Sequence, residues 1–263
     1  YNVRVPSAQT TSSGLSWANG MTAGRTLPLS SFFIARPTDS VQTINNQLAN
    51  GMNLLLTPGI YNIGQSINVT NGNTVVLGLG HPTFTAVNGA VPLKVADVPG
   101  VIIAGLTFDA GTVSSPMLLQ VGQSSNNKNS TTRNPTTLSD VYFRVGGPHI
   151  GKVDVALEVN SNNVLIDHIW VWRADHGVEG FSGDTERWNT NLGRNGVVIN
   201  GNNVTALGLF VEHFQQYNII WNGENGTIIF YQSEIPYDPP TQADWMNGSV
   251  EGWAAYKVAD QVQ

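Results

Sequence analysis

Short apolar runs alternate with turns rich in asparagine and glycine along most of this chain, and the pieces recur in a fixed order. An apolar run, Leu157-Glu158-Val159, is followed by a turn over Asn160 to Asn163 and a second run, Val164-Leu165-Ile166. The phrase returns as Val197-Val198-Ile199, a turn over Asn200 to Asn203, and Val204 to Leu209. It returns again as Ile219-Ile220-Trp221, Asn222 to Gly226, and Thr227 to Phe230. Earlier copies are Pro92 to Val95 with Val101 to Leu106, and the half-phrase Asn73 to Gly80. The runs are short and rich in β-branched residues, and turn formers separate them, which is the signature of strands. Their spacing is 27 residues from Thr74 to Val101, 40 from Val164 to Val204 and 23 from Val204 to Thr227. A stacked β-coil of roughly 22 to 27 residues, with occasional long insertions, has that period. Helical spacing of apolar residues is confined to Val41 to Asn50, where Asp39 or Ser40 is the expected N-cap and Gly51 the stop.

The repeat therefore predicts an all-β chain, a parallel β-helix. One coil cannot bury its apolar face alone, and stacking makes a continuous core. Asparagine in the turns suits left-handed backbone and side-chain ladders between coils. The short helix is expected to cap the stack. A β-sandwich is the alternative architecture, but it does not require a turn phrase at near-constant spacing. Residues 1–37 lack the phrase and read as an extended segment or linker, or as packing along a neighbouring domain. The solenoid is assigned to residues 38–263. Gln123 to Thr137 and Ala174 to Gly193 interrupt the period and are expected to form long loops over one face, where function usually sits. Ala254 to Val258 looks like one more strand. A solenoid ending there exposes an apolar end, so more chain or another chain is expected to cover it.

Composition narrows the classes. Of 263 residues only 11% are charged, against about 25% in an ordinary soluble domain, while 28 are glycine. A net charge of −6 gives no basic face for nucleic acid. No run of 18 apolar residues spans a membrane. The absence of cysteine excludes disulfides, thiolate metal sites and a cysteine nucleophile. The chain starts at Tyr1 rather than Met and reads as a processed product whose targeting segment is out of view. Sequons at Asn68, Asn129, Asn203, Asn225 and Asn247 tilt the expectation toward a secreted protein.

Candidate chemistry gathers between Ile169 and Trp253, a stretch holding six of the seven tryptophans together with many carboxylates. Aromatic rings cover the apolar faces of sugars, and acids bind hydroxyls or move protons, so the mixture suggests a carbohydrate site. Glu212 (in LFVEHF) and Glu234 (in FYQSEIP) each lie near the end of the second strand of a coil, 22 residues apart. Coils stack about 4.8 Å apart, so equivalent positions would bring the two carboxylates within reach of one sugar. Their mutual repulsion favours keeping a proton on one of them. The alternative is two uncoupled strand-end carboxylates. A spacing of 22 set against a period of 23 is a one-residue slip, which reverses the face unless a bulge absorbs it. Asp175-His176 opens the longer insertion and reads either as a substrate clamp or as a loop anchor. Trp170 and Trp172 share a side by alternation and form a sugar platform or pack beneath a loop. Trp172, Trp221, Glu224, Tyr237 and Trp245 complete the candidate substrate-binding set. No His/Asp/Glu group has zinc spacing, and no metal or cofactor is expected.

The phrases IWVWRADHG (Ile169 to Gly177), VEHFQQY (Val211 to Tyr217) and YQSEIPYDPP (Tyr231 to Pro240) resemble the catalytic half of glycoside hydrolase family 55. The resemblance implies a right-handed, pectate-lyase-like solenoid, one of two such β-helices in a longer protein, with the cleft between them. It implies a secreted, inverting β-1,3-glucanase in which Glu234 is the general acid and Glu212 helps hold the attacking water. Asp175 and His176 match the family's Ala-Asp-His phrase. The implied partner is a polysaccharide or oligosaccharide, with a second β-helix domain or chain completing the cleft. Competing readings on the same fold are an α-1,3-glucanase, which would want an adjacent aspartate pair that is missing here, and a polysaccharide lyase, which would want basic residues that are sparse here. A non-catalytic carbohydrate-binding β-helix is the reading outside enzymes.

Overall fold

The computed structural model describes residues 1–9, 20–123, 134–176 and 187–262. The repeating phrases form two parallel sheets wound around one core. The first carries, from one end to the other, Thr227–Glu234, Thr205–Glu212, Val164–Arg173, Thr136–Val145, Ile102–Asp109, Val75–Gly78, Asn53–Leu56 and Phe32–Ala35. The second carries Tyr256–Val258, Ile219–Trp221, Leu192–Ile199, Lys152–Val159, Ser115–Val121, Leu93–Val95 and Ile67–Val69. After a first turn in which the helix Val41–Ala49 stands in for a second-sheet strand, each turn of the chain visits both sheets, and all of these neighbours run parallel. This is the parallel β-helix that the repeat predicts, and the sandwich alternative is excluded.

One feature of the long strands could not be read from apolar alternation. Gly105, Asp140, His168, Gly208 and Phe230 all have positive φ, between 52° and 69°. They stack: the paired residues flanking Asp140 and His168 are Ser139 with Asp167 and Val141 with Ile169, and the same register continues through Gly208 and Phe230. A left-handed residue shifts the side-chain phase, so inward positions fall three apart, as in Ile103 and Leu106 or Ile166 and Ile169. Every long strand bends at this ridge, and its two halves form separate walls. Accordingly Ile102–Asp109 pairs with Val75–Gly78 through its first half and with Thr83–Ala86 through its second.

The inward face is closed by stacked like residues. Phe84, Phe108 and Phe143 occupy successive rungs with ring centroids 5.6 and 5.1 Å apart, and Val171 and Val211 continue the row. Between the sheets an asparagine ladder runs along the turn: Asn200 donates to Asn160 Oδ1 at 2.7 Å, and Asn222 donates to Asn200 Oδ1 at 2.7 Å. Asn73, Asn163, Asn203 and Asn225 take the left-handed turn positions. The predicted helix is present as Val41–Ala49. Ser40 caps it by accepting from Thr43 N–H, and Ile44 and Leu48 are buried on the first rungs.

Three expectations change. The Phe32–Ala35 strand already pairs with Asn53–Leu56, so the solenoid starts inside the segment assigned to a linker. Described parts of the rest of that segment are also packed. Asn2–Pro6 pairs antiparallel with Gly24–Pro28, and Val3, Val5 and Leu27 cluster with Phe32, Leu55, Val75 and Leu77 on the outside of the solenoid itself. The one-residue slip disappears, because Thr205, not Val204, pairs with Thr227, and the offset is 22 residues through to Glu212 and Glu234. Most of the two long insertions, residues 124–133 and 177–186, lies outside the described residues.

The ladder makes a stability prediction. Asn200→Ala leaves Asn160 Oδ1 and the Asn222 amide without their partners on a part-buried turn. A loss of about 1–3 kcal/mol is expected in urea unfolding. An unchanged midpoint and slope would show that the ladder contributes nothing.

Candidate active site

The second halves of the long strands carry an outward row in register: Asp109, Arg144, Trp172, Glu212 and Glu234. The row starts as a structural ion pair, with Arg144 donating to both Asp109 oxygens at 2.7 and 2.8 Å. It ends with two carboxylates on adjacent rungs and no basic partner between them. Strand pairing thus puts Glu212 and Glu234 side by side on one wall. The indole N–H of Trp170 donates to Glu212 Oε2 at 3.0 Å, and the Glu212 side chain is 14% exposed. Glu234 is more open at 40%; it accepts from the Tyr237 hydroxyl and, at 3.1 Å, from the Gln232 amide. The phenol of Tyr237 is pushed above its usual range, first by that hydrogen bond to Glu234 and then by burial and the surrounding carboxylates.

His213 sits beneath both glutamates and is 1% exposed. Its φ of 66° turns the chain immediately after Glu212, and its backbone N–H donates to Glu234 O at 2.9 Å. The turn points the imidazole back under the wall. Nδ1 lies 3.0 Å from Ile235 O and 3.1 Å from Asp175 Oδ2. A carbonyl oxygen only accepts, so Nδ1 carries a hydrogen and donates it, and Nε2 is the ring nitrogen that faces the two glutamates. Nε2 lies 3.9 Å from Glu212 Oε2 and 3.8 Å from Glu234 Oε2. The two carboxylate oxygens are consequently no more than about 8 Å apart.

Asp175 is 3% exposed and acts from below. Its carboxylate accepts from the Tyr237 backbone N–H at 2.8 Å and contacts the Nδ1 atoms of His213 and His176. Arg173, wholly buried, donates to both Asp238 oxygens at 3.0 and 2.7 Å and to the carbonyls of Asn191, His213 and Arg187. Together they tie the Ile235-to-Asp238 loop to the end of the Val164–Arg173 strand. Asp175, His176 and His213 bring one ligand-type atom each within 4.8 Å of one another. Those Nδ1 atoms are engaged with the Asp175 carboxylate at 2.5 and 3.1 Å, so the group is a hydrogen-bonded triad and not an open ligand set.

Among the other expected residues, Trp172 stacks on Trp170 at 5.4 Å, with His176 edge-on to it at 6.1 Å. Tyr237 lies against His213 and His176 at 4.9 and 5.9 Å. These residues rim the glutamate pair. Three do not. Trp221 faces inward, 2% exposed, and stacks on Tyr256 in the core, because alternation from Ile219 carries it to the buried face. Glu224 lies on the turn before Thr227–Glu234, a full strand length from Glu234, with its N–H donating to Asn202 Oδ1. Trp245 donates to Gln215 O at 3.1 Å and packs on Gly252, pinning the Met246-to-Glu251 hairpin to the turn that follows His213. His213, Arg173 and Asp238 are the members that residue spacing did not single out for these roles; Trp170 was placed beside Trp172 by alternation, and its hydrogen bond to Glu212 is the addition. The one available signal was the histidine directly after Glu212.

Comparison with known proteins agrees with the solenoid fold. Residues 32–234 match the model of the LAM55 pectate lyase-like domain. A protein of Streptomyces sp. (strain SirexAA-E / ActE) named exo-beta-1,3-glucanase is 48% identical over 262 residues, which is 100% of this chain and 42% of the relative. The structure of sacteLam55A from Streptomyces sp. SirexAA-E aligns with a TM-score of 0.94 at 48% identity, covering 100% of this chain and 47% of that one. A variant of sacteLam55A in complex with glucose aligns with a TM-score of 0.93 at 47% identity, covering 100% and 46%. The chain spans about half the length of these relatives.

The buried tie under the site has a measurable consequence. Arg173→Met strands the Asp238 carboxylate, 9% exposed, without its guanidinium. A loss of about 3–5 kcal/mol is expected in urea unfolding. A loss below about 1 kcal/mol would mean that the pair is not holding the loop.

Proposed function

From the premise that this chain belongs to the LAM55 pectate lyase-like family, we propose that it carries the acid–base pair of a secreted β-1,3-glucan hydrolase. The observation that carries the reading is the in-register pairing of Glu212 and Glu234 over one buried histidine, with Trp170, Trp172 and Tyr237 around them. Glu234, the more exposed carboxyl, protonates the departing glycosidic oxygen. Glu212, held by the Trp170 N–H, orients and deprotonates the attacking water. The upper bound of about 8 Å between their oxygens admits the separation of either an inverting or a retaining pair. Inversion is proposed on the resemblance of the sequence phrases to glycoside hydrolase family 55. The Trp170–Trp172 stack offers a flat apolar face to a pyranose ring beside Glu212. Neither step calls for a metal or an organic cofactor. The opposite wall of the cleft is assigned to a further domain or chain, in keeping with the longer relatives.

The test is hydrolysis of laminarin by the protein with and without Glu234→Gln. Removing a positioned general acid is expected to lower kcat by about 10²–10⁴-fold. Proton NMR of the first product should show the α-anomer of glucose. Full activity of the Gln variant would refute the assignment of Glu234, and an initial β-anomer would refute inversion. Binding of laminarin without release of reducing ends would reduce the protein to a carbohydrate-binding solenoid.

A further inference from the structure

Under the proposed reaction an inverting cycle leaves its protons in the wrong places. Water yields one to Glu212, and the leaving sugar oxygen takes one from Glu234. Before the next turnover Glu212 must lose a proton and Glu234 must gain one. The resting surroundings do not help Glu234: the Tyr237 hydroxyl and the Gln232 amide both donate to it, an arrangement that suits a carboxylate. Glu212 likewise accepts from Trp170.

We propose that His213 returns the proton from Glu212 to Glu234 between turnovers, an inference that rests on the reading above. The geometry is specific to a relay. Nδ1–H is fixed on Ile235 O and Asp175, so only Nε2 is free to exchange. Nε2 is almost equidistant from the two oxygens involved, at 3.9 and 3.8 Å, and the ring is sealed from solvent on its other sides. A carboxyl rotation of about 1 Å brings either oxygen to hydrogen-bond distance. In the first step the O–H bond of protonated Glu212 breaks and an N–H bond forms at Nε2. In the second that N–H breaks and an O–H forms on Glu234 Oε2. The histidine ends as it began, and no other reactant enters.

The groups that face the ring favour its transient positive charge. Asp175 Oδ2 lies at Nδ1, and Glu212 and Glu234 lie at Nε2. The rings of Tyr237 and His176 flank it at 4.9 and 5.4 Å. Among the described residues the opposing charge is Arg173, which donates to the His213 carbonyl at 3.1 Å and is paired with Asp238. His213 acts through the two glutamates and is a positioning and relay residue.

The positive φ of His213 permits a clean test, because glycine adopts it without strain. His213→Gly leaves an imidazole-sized opening beside both carboxylates. With laminarin as substrate, kcat is expected to fall on the order of 10–100-fold with little change in KM. Added imidazole should restore it saturably, and pyrazole should not, since it has the same ring size and is a far weaker base. Wild-type activity should ignore both. Equal rescue by pyrazole and imidazole would make His213 a space-filling support and overturn the relay. An unchanged kcat, or a loss that imidazole does not restore, would also overturn it. These outcomes are read on a hydrolysing wild type. Absence of hydrolysis by wild type would instead sink the functional reading beneath it, and the relay with it.

Discussion

Parallel pairing at a fixed offset is the constraint on which everything else depends. Once Thr205 pairs with Thr227, each residue downstream is committed to a neighbour 22 positions along the chain, and Glu212 can only stand beside Glu234. The hydrogen-bond ladder enforces that register, and the core enforces it a second time. A shift by one residue would turn Leu209 and Val211 outward and bring charged or aromatic outer residues into the interior. The stacked left-handed ridge from Gly105 to Phe230 adds a corner at the same height in each rung. The outward row beyond that corner forms a single wall.

The site uses the scaffold economically. The strand ends supply the two carboxylates, and the chain reversal at His213 brings an imidazole beneath them. Buried polar ties then fix the loop that delivers Tyr237. Asp175 and Arg173 come from the end of one strand, and they hold Tyr237 and Asp238 from a loop more than sixty residues later. Buried charges of this kind are stable only when fully partnered, and here the guanidinium and the Asp238 carboxylate satisfy each other. The geometry of the glutamate pair therefore rests on buried groups behind it.

Much of the architecture is legible in the sequence, because a solenoid writes the same sentence in each coil. The asparagine turns, the short β-branched runs and the capping helix all correspond to observed elements. The left-handed ridge is not legible, since its positions hold glycine, aspartate, histidine and phenylalanine, which share no composition. The false slip between Val204 and Thr227 has another origin: the strand begins pairing at Thr205, one residue after the start of the apolar run. The glutamate pair is visible as an equal position in two coils. Trp221 shows the opposite error: a tryptophan in an aromatic-rich stretch suggests binding, yet its two-residue spacing from the buried Ile219 places it in the core. Arg173 and Asp238 escape notice because their pairing spans 65 positions and obeys no local pattern.

The central claim is that stacking brings Glu212 and Glu234 to one wall where a glucan lies between them. A crystal structure of the protein with a non-hydrolysable, sulfur-linked β-1,3-glucan oligosaccharide tests it most directly. The account predicts the inter-sugar sulfur within hydrogen-bond reach of Glu234 and an ordered water on the far face of the adjoining ring, held by Glu212. An oligosaccharide seated elsewhere on the solenoid, or one approached by both carboxyl groups from the same side of the bond, would contradict it.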